Sequence, residues 1–199
     1  AEAKGFLRNP KRIRQIELAT TAFGQGMTST PLQLAMALAA LGNDGVLMKP
    51  YFVQAITDQN HEPLKQFQPQ KVRRVISIQT ARTVRAIMKT VINEGGTGVN
   101  AALEGYTVCG KTGTARKLDE NGIYSKSKYM ASFIGFTPAE KPRLTIVVVI
   151  DEPQGAYYGG TVAAPVFRRI ARETLHYLNI PPESGAKQFA TSRRIEAQG

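Results

Sequence analysis

Two strand-forming segments separated by only five residues constrain the fold of this chain more than any other feature. Residues 129–137 and 143–151 are rich in β-branched and aromatic side chains, which is typical of β-strands. The connection between them, residues 138–142, is too short for the crossover that parallel strands require. The two segments therefore predict an antiparallel hairpin.

A third strand, predicted at residues 106–114, extends this sheet. In segment 143–151 aliphatic side chains occupy both faces of the predicted strand. One face carries Leu144, Ile146, Val148 and Ile150, and the other carries Val147 and Val149. A strand that is apolar on both faces is covered on both sides, which implies that helices pack against this sheet.

Helix signals lie on either side of the strand region. Thr30 and Gln33 form a capping box with a proline between them, and the helix that follows is predicted to end at Gly42. A second helix is predicted to begin near Ser77, and a last one begins near residue 162 and ends at prolines 181–182. The predicted apolar stripe of the last helix comprises Val166, Phe167, Ile170, Leu175 and Leu178. This order of helices, antiparallel sheet and helix predicts one α+β domain.

The composition argues against several functional classes. The 199 residues are 42% hydrophobic and carry a net charge of +11, which is typical of a globular domain with a basic surface. The basic residues form small scattered groups, such as Arg82, Arg85 and Lys89, so we expect a solvated surface and no nucleic acid partner. One cysteine and two histidines argue against disulfides and zinc, and no metal or organic cofactor is predicted. Residues 183–199 are predicted to form a mobile polar tail.

A phosphate-binding loop is the main rival interpretation. Gly105 and the Gly110-Lys111-Thr112 triplet match the pattern G-x-x-x-x-G-K-[ST], and Asp151-Glu152 could position magnesium. Such a loop requires a helix after Lys111 to bind phosphate, yet residues 113–116 lead into a turn. The residues before Gly105 also look helical, whereas a strand is required there. A P-loop NTPase stays the alternative, and it predicts nucleotide binding and a helix after Thr112.

On an extended strand, the segment Lys111-Thr112-Gly113-Thr114 suits a peptide-like substrate with a carboxylate. Lysine supplies a positive charge, and threonine hydroxyls can donate hydrogen bonds to a carboxylate. Glycine lets a substrate approach the backbone closely, and free main-chain groups can pair with a peptide or face a developing oxyanion.

The surroundings of this tetrapeptide resemble the penicillin-binding and serine β-lactamase superfamily. Residues 109–117 are similar to its third active-site motif, and residues 129–138 and 144–153 resemble the two strands that follow. Residues 157–167 resemble the start of its closing helix. The helical region before the motif is similar too, at residues 16–20, 23–26 and 30–35. The likeness spans residues 5–182 and is closest to class B, division-type (septal) peptidoglycan D,D-transpeptidases, so we expect the C-terminal portion of that α+β fold.

The resemblance implies acyl transfer on cell-wall stem peptides that end in D-Ala-D-Ala, and inhibition by β-lactams. Lys111 would give electrostatic support and assist proton transfer, and Thr112 and Thr114 would bind the substrate or β-lactam carboxylate. Gly113 and the N–H group of Thr114 would serve substrate binding and the oxyanion hole. A glycan-polymerising partner and division proteins are expected, at the periplasmic or extracytoplasmic face of the inner membrane, with an N-terminal anchor upstream of this chain.

The chain departs from the superfamily at the nucleophile. The Ser-x-x-Lys and Ser-x-Asn motifs should both precede Lys111, whereas the two Ser-x-x-Lys matches, Ser125–Lys128 and Ser184–Lys187, follow it. We therefore expect an upstream segment to supply the serine, the general base and the first sheet strands. A D,D-carboxypeptidase or β-lactamase of the same superfamily stays open, as does a non-catalytic module that binds an anionic partner.

Three other residues with reactive or titratable side chains are predicted to have structural roles. Cys109 is expected to be a buried strand residue, because neither histidine has a context that suggests a catalytic dyad. His61 is expected in an exposed turn and His176 near the end of the last helix. Arg116 and Lys117 could steer an anionic substrate or be ordinary solvated residues.

Overall fold

Helices and short strands come first along the chain, and a sheet of long strands follows. The computed structural model describes residues 3–9, 11–120 and 122–183. Its elements are α1 (Gln15–Ala22), α2 (Pro31–Gly42), β1 (Val46–Met48), β2 (Ala55–Thr57), β3 (Pro63–Gln66), β4 (Lys71–Arg74), α3 (Ile78–Thr90), a 3-10 helix (Val99–Ala101), β5 (Cys109–Leu118), β6 (Tyr124–Thr137), β7 (Leu144–Asp151), α4 (Gly159–Val162) and α5 (Ala164–Tyr177).

The central sheet has the order β5-β6-β7, with both pairs antiparallel. Thr112 of β5 lies opposite Phe133 of β6, which in turn lies opposite Val148 of β7. The short hairpin predicted from the sequence is therefore confirmed. The first strand differs from its prediction, because it begins at Cys109 and continues to Leu118. β5 and β6 extend as a two-stranded ribbon beyond the predicted strand ends, since their backbones keep pairing as far as Leu118 and Tyr124.

The helix starts follow the local signals in the sequence. The Thr30 side-chain oxygen accepts the Gln33 N–H at 3.1 Å, and the Gln33 side chain accepts the Thr30 N–H at 3.0 Å. Ser77 likewise accepts the N–H group of Thr80 at 3.0 Å. These bonds satisfy N–H groups that lack partners inside the helix, which explains why α2 and α3 begin where they do.

Helices cover the sheet on both faces, as the apolar character of β7 predicted. Phe133 and Val148 pack on one face against α5, where the Phe133 and Phe167 rings lie 4.8 Å apart in an edge arrangement. On the other face Phe136 packs with Leu38 of α2. The observed fold is α+β, with an antiparallel sheet between helices.

The buried face of α5 differs from the predicted stripe. Its buried residues are Ala164, Phe167, Ala171 and Leu175, whereas Val166, Ile170 and Leu178 are more than a third exposed. Small alanines allow the helix to approach the sheet closely, and the two large side chains between them fill the core. The prediction was therefore right for Phe167 and Leu175 and wrong for the other three residues.

Short strands form two small sheets, β1 with β4 and β2 with β3. The turn between β2 and β3 contains His61, which is exposed and has a φ of 65°. His176 lies in the last turn of α5. Both histidines thus occupy the positions predicted from the sequence. No helix in the described part of the chain is long and apolar enough to cross a membrane.

A polar cluster attaches the end of the last helical region to the start of β5. The N–H group and the hydroxyl of Thr107 both donate to the Glu183 carboxylate, the hydroxyl at 2.7 Å. The Thr107 carbonyl accepts the Thr137 hydroxyl at 2.8 Å, so the cluster also reaches β6. These bonds hold the strand entry in place. Of the predicted polar tail, residues 184–199 lie outside the described residues, and the boundary at 182 stays a prediction.

Side chains on the buried and exposed faces of α5 should contribute differently to the free energy of unfolding. Replacing Phe167 with alanine should lower the free energy of unfolding by about 3–5 kcal/mol, because a fully buried ring is lost. The control Val166→Ala, one residue away and 40% exposed, should change it by less than about 1 kcal/mol. Urea unfolding followed by circular dichroism measures both values. Equal losses would contradict this assignment of the buried face.

Candidate active site

Lys111 lies on β5, an edge strand that pairs only with β6 in the described sheet. Its side chain is exposed, and its ammonium group donates to the Thr112 carbonyl at 3.0 Å. No carboxylate in the described part of the chain forms an ion pair with it. The strand therefore presents a positive charge that is available to an anionic ligand, next to backbone groups that a peptide could pair with.

The two threonines of the tetrapeptide occupy the other face of the strand. Thr112 donates its hydroxyl to the Thr97 side-chain oxygen at 3.1 Å. The Thr114 side-chain oxygen accepts the N–H group of Gly159 at 3.1 Å. Because the Thr114 oxygen acts there as an acceptor, its own O–H group stays available to donate to a carboxylate.

At position 113 a larger residue would contact the Ser132 side chain of the neighbouring strand. A β-carbon there would lie 2.4 Å from the Ser132 hydroxyl oxygen of β6, which is too close. At Gly159 a β-carbon would lie 2.2 Å from the Ser132 carbonyl oxygen and 2.5 Å from that of Gly113. The start of α4 thus packs directly on the backbones of both strands. At Gly113 a change in the Ser132 rotamer would make room for a β-carbon, so close approach of a substrate stays the predicted reason for this glycine.

The structure adds Thr97 and Asn100 to the site, which the sequence interpretation missed. Thr97 follows α3 and holds the Thr112 hydroxyl, while Asn100 donates to the Gly160 carbonyl at 2.8 Å. Together they link the loop after α3 to β5 and α4. The only signal in the sequence is that Thr97 stands between Gly96 and Gly98, and this does not say which strand the loop meets.

Aromatic side chains lie beside the end of the tetrapeptide. The Tyr129 and Tyr157 rings stack with centroids 4.2 Å apart, and Tyr158 follows at 4.5 Å from Tyr157. The Arg116 guanidinium lies 6.0 Å from the centre of the Tyr129 ring. Hydrogen bonding to Tyr158 raises the pKa of Tyr157, so its hydroxyl stays neutral at physiological pH. The arrangement places three adjacent tyrosine rings and one cation beside β5.

Lys117 is held away from any steering role. Its ammonium group lies 2.8 Å from both the Asp151 and Glu152 carboxylates at the end of β7. These hydrogen bonds, with Asp151 first, raise the pKa of Lys117, and the bond to Lys117 lowers the pKa of Glu152. The two carboxylates therefore form ion pairs, and Arg116 is the exposed cation of the two residues that follow the tetrapeptide.

The structure contradicts the P-loop interpretation. The backbone continues as a strand from Cys109 through Thr112 to Leu118, so no helix N-terminus follows Lys111. The segment before Gly105 contains a 3-10 helix where a strand would be required. Phosphate binding in such loops uses the free backbone N–H groups at a helix N-terminus, and the strand at this place does not arrange its N–H groups in that way.

Ser125 lies far from Lys111. Lys111 pairs with Ile134, nine residues along β6 from Ser125, which corresponds to more than about 20 Å along a strand. The Ser125 side-chain oxygen accepts the N–H groups of Ser127 at 3.2 Å and Lys128 at 3.0 Å. Ser125 lies within β6, beside the register shift in its pairing with β5, and its side chain bonds the local backbone there. The other match, Ser184, lies outside the described residues.

Cys109 is a buried strand residue, as predicted. Its side chain is fully buried and its thiol donates to the Arg85 carbonyl at 3.3 Å. Burial raises the pKa of the Cys109 thiol to about 12. A thiol that is neutral and inaccessible cannot act as a nucleophile near neutral pH.

Comparison with known proteins identifies the family. The penicillin-binding protein transpeptidase domain matches residues 1–172, and the chain belongs to that family. It is 45% identical over 183 residues to the probable peptidoglycan D,D-transpeptidase PenA of Neisseria meningitidis, covering 91% of this chain and 29% of that protein. It is 41% identical over 184 residues to the peptidoglycan D,D-transpeptidase FtsI of Escherichia coli K12, covering 92% and 29%. The chain therefore spans less than a third of these relatives.

Solved structures agree with this assignment. The transpeptidase domain of Burkholderia pseudomallei penicillin-binding protein 3 superposes with a TM-score of 0.75 at 41% identity, covering 91% of this chain and 52% of that one. Penicillin-binding protein 3 of Mycobacterium tuberculosis in complex with aztreonam gives 0.80 at 32% identity, covering 92% and 42%. The fold and family expected from the sequence are confirmed.

The environment of Cys109 predicts its reactivity. In the folded protein at pH 8 the thiol should resist Ellman's reagent, and it should react fully in guanidinium chloride. Its pKa lies above that of an exposed thiol (~8.5), so its contribution to stability is complete below that pH and is lost as pH rises toward 12. The control variant Ser127→Cys carries an exposed thiol and should react at once. Rapid reaction of Cys109 in the folded protein would overturn the prediction.

Proposed function

We propose that this chain supplies the Lys-Thr-Gly strand of a serine-type peptidoglycan D,D-transpeptidase. One observation carries the proposal: Lys111 and Thr114, on an unpaired edge of the described sheet, have an ammonium group without a carboxylate partner and a hydroxyl that is free to donate. That combination suits the C-terminal carboxylate of a D-Ala-D-Ala stem peptide. Membership of the transpeptidase family supports the same substrate class.

In the proposed reaction a serine from a segment upstream attacks the penultimate D-alanyl carbonyl. The peptide bond to the terminal residue breaks, and D-alanine leaves after receiving a proton on its nitrogen. The amine of a second stem peptide then attacks the acyl-enzyme ester, which forms the cross-link and returns the proton to the serine oxygen. A serine ester divides the exchange of one amide for another into two easier steps.

Each residue of the tetrapeptide has a separate role in this proposal. Lys111 stabilises negative charge and assists proton transfer through a serine of the upstream segment. Thr112 and Thr114 bind the terminal carboxylate; when Thr112 donates to it, the 3.1 Å bond to Thr97 reverses, so that the Thr97 hydroxyl donates to the Thr112 oxygen and orients it. Gly113 has no side chain and lets the substrate approach the strand backbone closely, and the Thr114 N–H contributes to the oxyanion hole.

The orientation of the threonine hydroxyls supports this division of roles. The Gly159 N–H donates to one lone pair of the Thr114 oxygen, so the Thr114 O–H can point toward a ligand. The Thr112 and Thr97 hydroxyls lie 3.1 Å apart, and either can donate; when Thr97 donates to the Thr112 oxygen, the Thr112 O–H is available to a ligand. A carboxylate placed beside the strand would then meet donors from more than one hydroxyl.

The wider setting follows the same proposal. β-Lactams acylate the serine in place of the stem peptide, and the related penicillin-binding protein 3 of Mycobacterium tuberculosis forms complexes with aztreonam and with ampicillin. A glycan-polymerising protein and division proteins act beside the enzyme at the periplasmic or extracytoplasmic face of the inner membrane. An N-terminal anchor upstream of this chain holds it there. The reaction requires no metal or organic cofactor.

Penicillin labelling tests the role of Lys111. The 199-residue chain and its upstream segment are incubated with fluorescent penicillin and separated on a denaturing gel. The upstream segment should become labelled, and Lys111→Ala should lower the acylation rate by about 100-fold or more, because charge stabilisation of the transition state is lost. The control Lys126→Ala removes a charge from an exposed position at the far end of β6 and should leave the rate unchanged.

Three results would contradict the proposal. Labelling of a serine in this chain would show that the nucleophile lies here. Equal losses for Lys111→Ala and Lys126→Ala would remove the special role of Lys111. Absence of label from both segments in a folded sample would contradict the transpeptidase function itself.

The hydrogen bond between Thr97 and Thr112 predicts a graded effect. Thr97→Val keeps the side-chain shape but removes the hydroxyl, and it should lower the second-order rate of acylation about 3- to 10-fold, as expected for one neutral hydrogen bond. Thr97→Ser restores the hydroxyl and should recover most of the rate. A melting temperature measured for each variant separates positioning from unfolding. Equal rates for valine and serine would refute the orienting role.

A further inference from the structure

A basic cavity lies at the end of the sheet where β6 turns into β7. Its volume is about 640 Å³, and its walls come from the end of α2, one side of α3, and the turn at residues 140–143. In the pairing of β5 with β6, Lys111 lies opposite Ile134, so the tetrapeptide is located farther along the sheet. The cavity therefore uses residues that the proposed transpeptidase reaction does not.

The cations of this cavity come from distant parts of the sequence. Arg82, Arg85 and Lys89 have the spacing of residues on one side of a helix, and all three line the cavity from α3. Lys141 and Arg143 line it from the turn between the strands. The basic group at Arg82, Arg85 and Lys89 therefore forms one wall of the cavity. Folding brings the turn at residues 140–143 opposite it as a second wall.

Two carboxylates neutralise part of this charge. Arg85, only 9% exposed, donates to the Asp44 carboxylate at 2.8 Å and to the Gly42 carbonyl at 3.3 Å. Lys89 forms a 2.8 Å ion pair with Glu140. The buried arginine is therefore occupied in holding the end of α2, and the Lys89 charge is matched across the cavity.

The other three cations remain without a carboxylate. Among the described residues no ion pair involves Arg82, Lys141 or Arg143. The cavity thus holds five cations and two anions, which leaves about three positive charges around one space. Like charges gathered in this way repel each other, and a multiply charged anion would relieve that repulsion.

We propose that this cavity binds a phosphate-bearing ligand. A single carboxylate carries one negative charge, whereas a phosphate monoester carries about two at neutral pH and a diphosphate about three, which matches the uncompensated charge. The guanidinium groups of Arg82 and Arg143 can each bind phosphate oxygens in a bidentate manner, and Lys141 adds a mobile charge. The cations line one cavity that is partly open to solvent, and its volume of about 640 Å³ favours a small head group over a nucleic acid strand.

Titration with inorganic pyrophosphate tests the site. The 199-residue chain, and the same chain with its upstream segment present, are titrated by isothermal calorimetry at low salt. Saturable binding is expected in both forms. Arg82→Gln and Arg143→Gln should each weaken it about 10-fold, because each removes a charged bidentate donor. The matched control Arg168→Gln, on the exposed side of α5, should change it less than about 2-fold.

A second experiment distinguishes the source of the phosphate. Sedimentation with vesicles containing phosphatidic acid, whose phosphate is a monoester, would assign a lipid head group if it depends on Arg82 and Arg143 and is absent with phosphatidylcholine. Pyrophosphate binding without such sedimentation would assign a free phosphate compound. Penicillin acylation should be unchanged in Arg82→Gln, which keeps this test separate from that of the transpeptidase reaction.

Two outcomes would overturn the proposal. One is the absence of saturable pyrophosphate binding up to roughly 10 mM in the form that contains the upstream segment. The other is an equal loss of binding in Arg168→Gln and the two cavity variants, because that would show attraction by net charge alone. Circular dichroism of each variant verifies that it is folded, which is expected since all three arginines are exposed.

Discussion

The antiparallel pairing of β5 with β6 holds residues 111–114 in an extended conformation, and the geometry of the site depends on that conformation. Successive side chains on a strand point to opposite faces, so Lys111 and Thr112 diverge while Thr112 and Thr114 align. A helix at this place would have grouped the same residues differently and consumed their backbone hydrogen bonds. Since β5 pairs on one side only within the described sheet, the same pairing also leaves backbone groups for a peptide ligand.

An unpaired strand edge invites association with other chains, and charged side chains commonly limit it. Here Lys111 and Arg116 lie exposed on β5, and Lys117 crosses to the acidic end of β7. The same charges that discourage pairing with another protein would attract a substrate carboxylate. Close backbone packing at Gly113 and Gly159 then holds the strand against β6 and α4, so that hydroxyl positions are set by the fold.

Helix α3 serves two regions of the molecule. The Arg85 carbonyl accepts a hydrogen bond from the Cys109 thiol at the start of β5. The Arg85 guanidinium donates to the Gly42 carbonyl at the end of α2 and to the Asp44 carboxylate. The Arg85 side chain is buried whereas Asp44 is half exposed, so removing the Asp44 carboxylate would leave a buried cation without its ion-pair partner. Arg82 and Lys89 on the same helix face the basic cavity, so the helix joins the strand that carries the tetrapeptide to the proposed anion site.

The amino-acid sequence alone determined the caps of α2 and α3, the hairpin of β6 and β7 and the extended strand that carries Lys111. Each of these depends on residues close together in the chain. The family was also predictable, since several of its motifs occur in order. Only the tertiary structure decided which face of α5 is buried and that β5 extends from Cys109 to Leu118. It also brought Thr97 to Thr112 and Arg82 toward Lys141. Those outcomes depend on packing between segments far apart in sequence, and local propensity carries no information about which distant surfaces will meet.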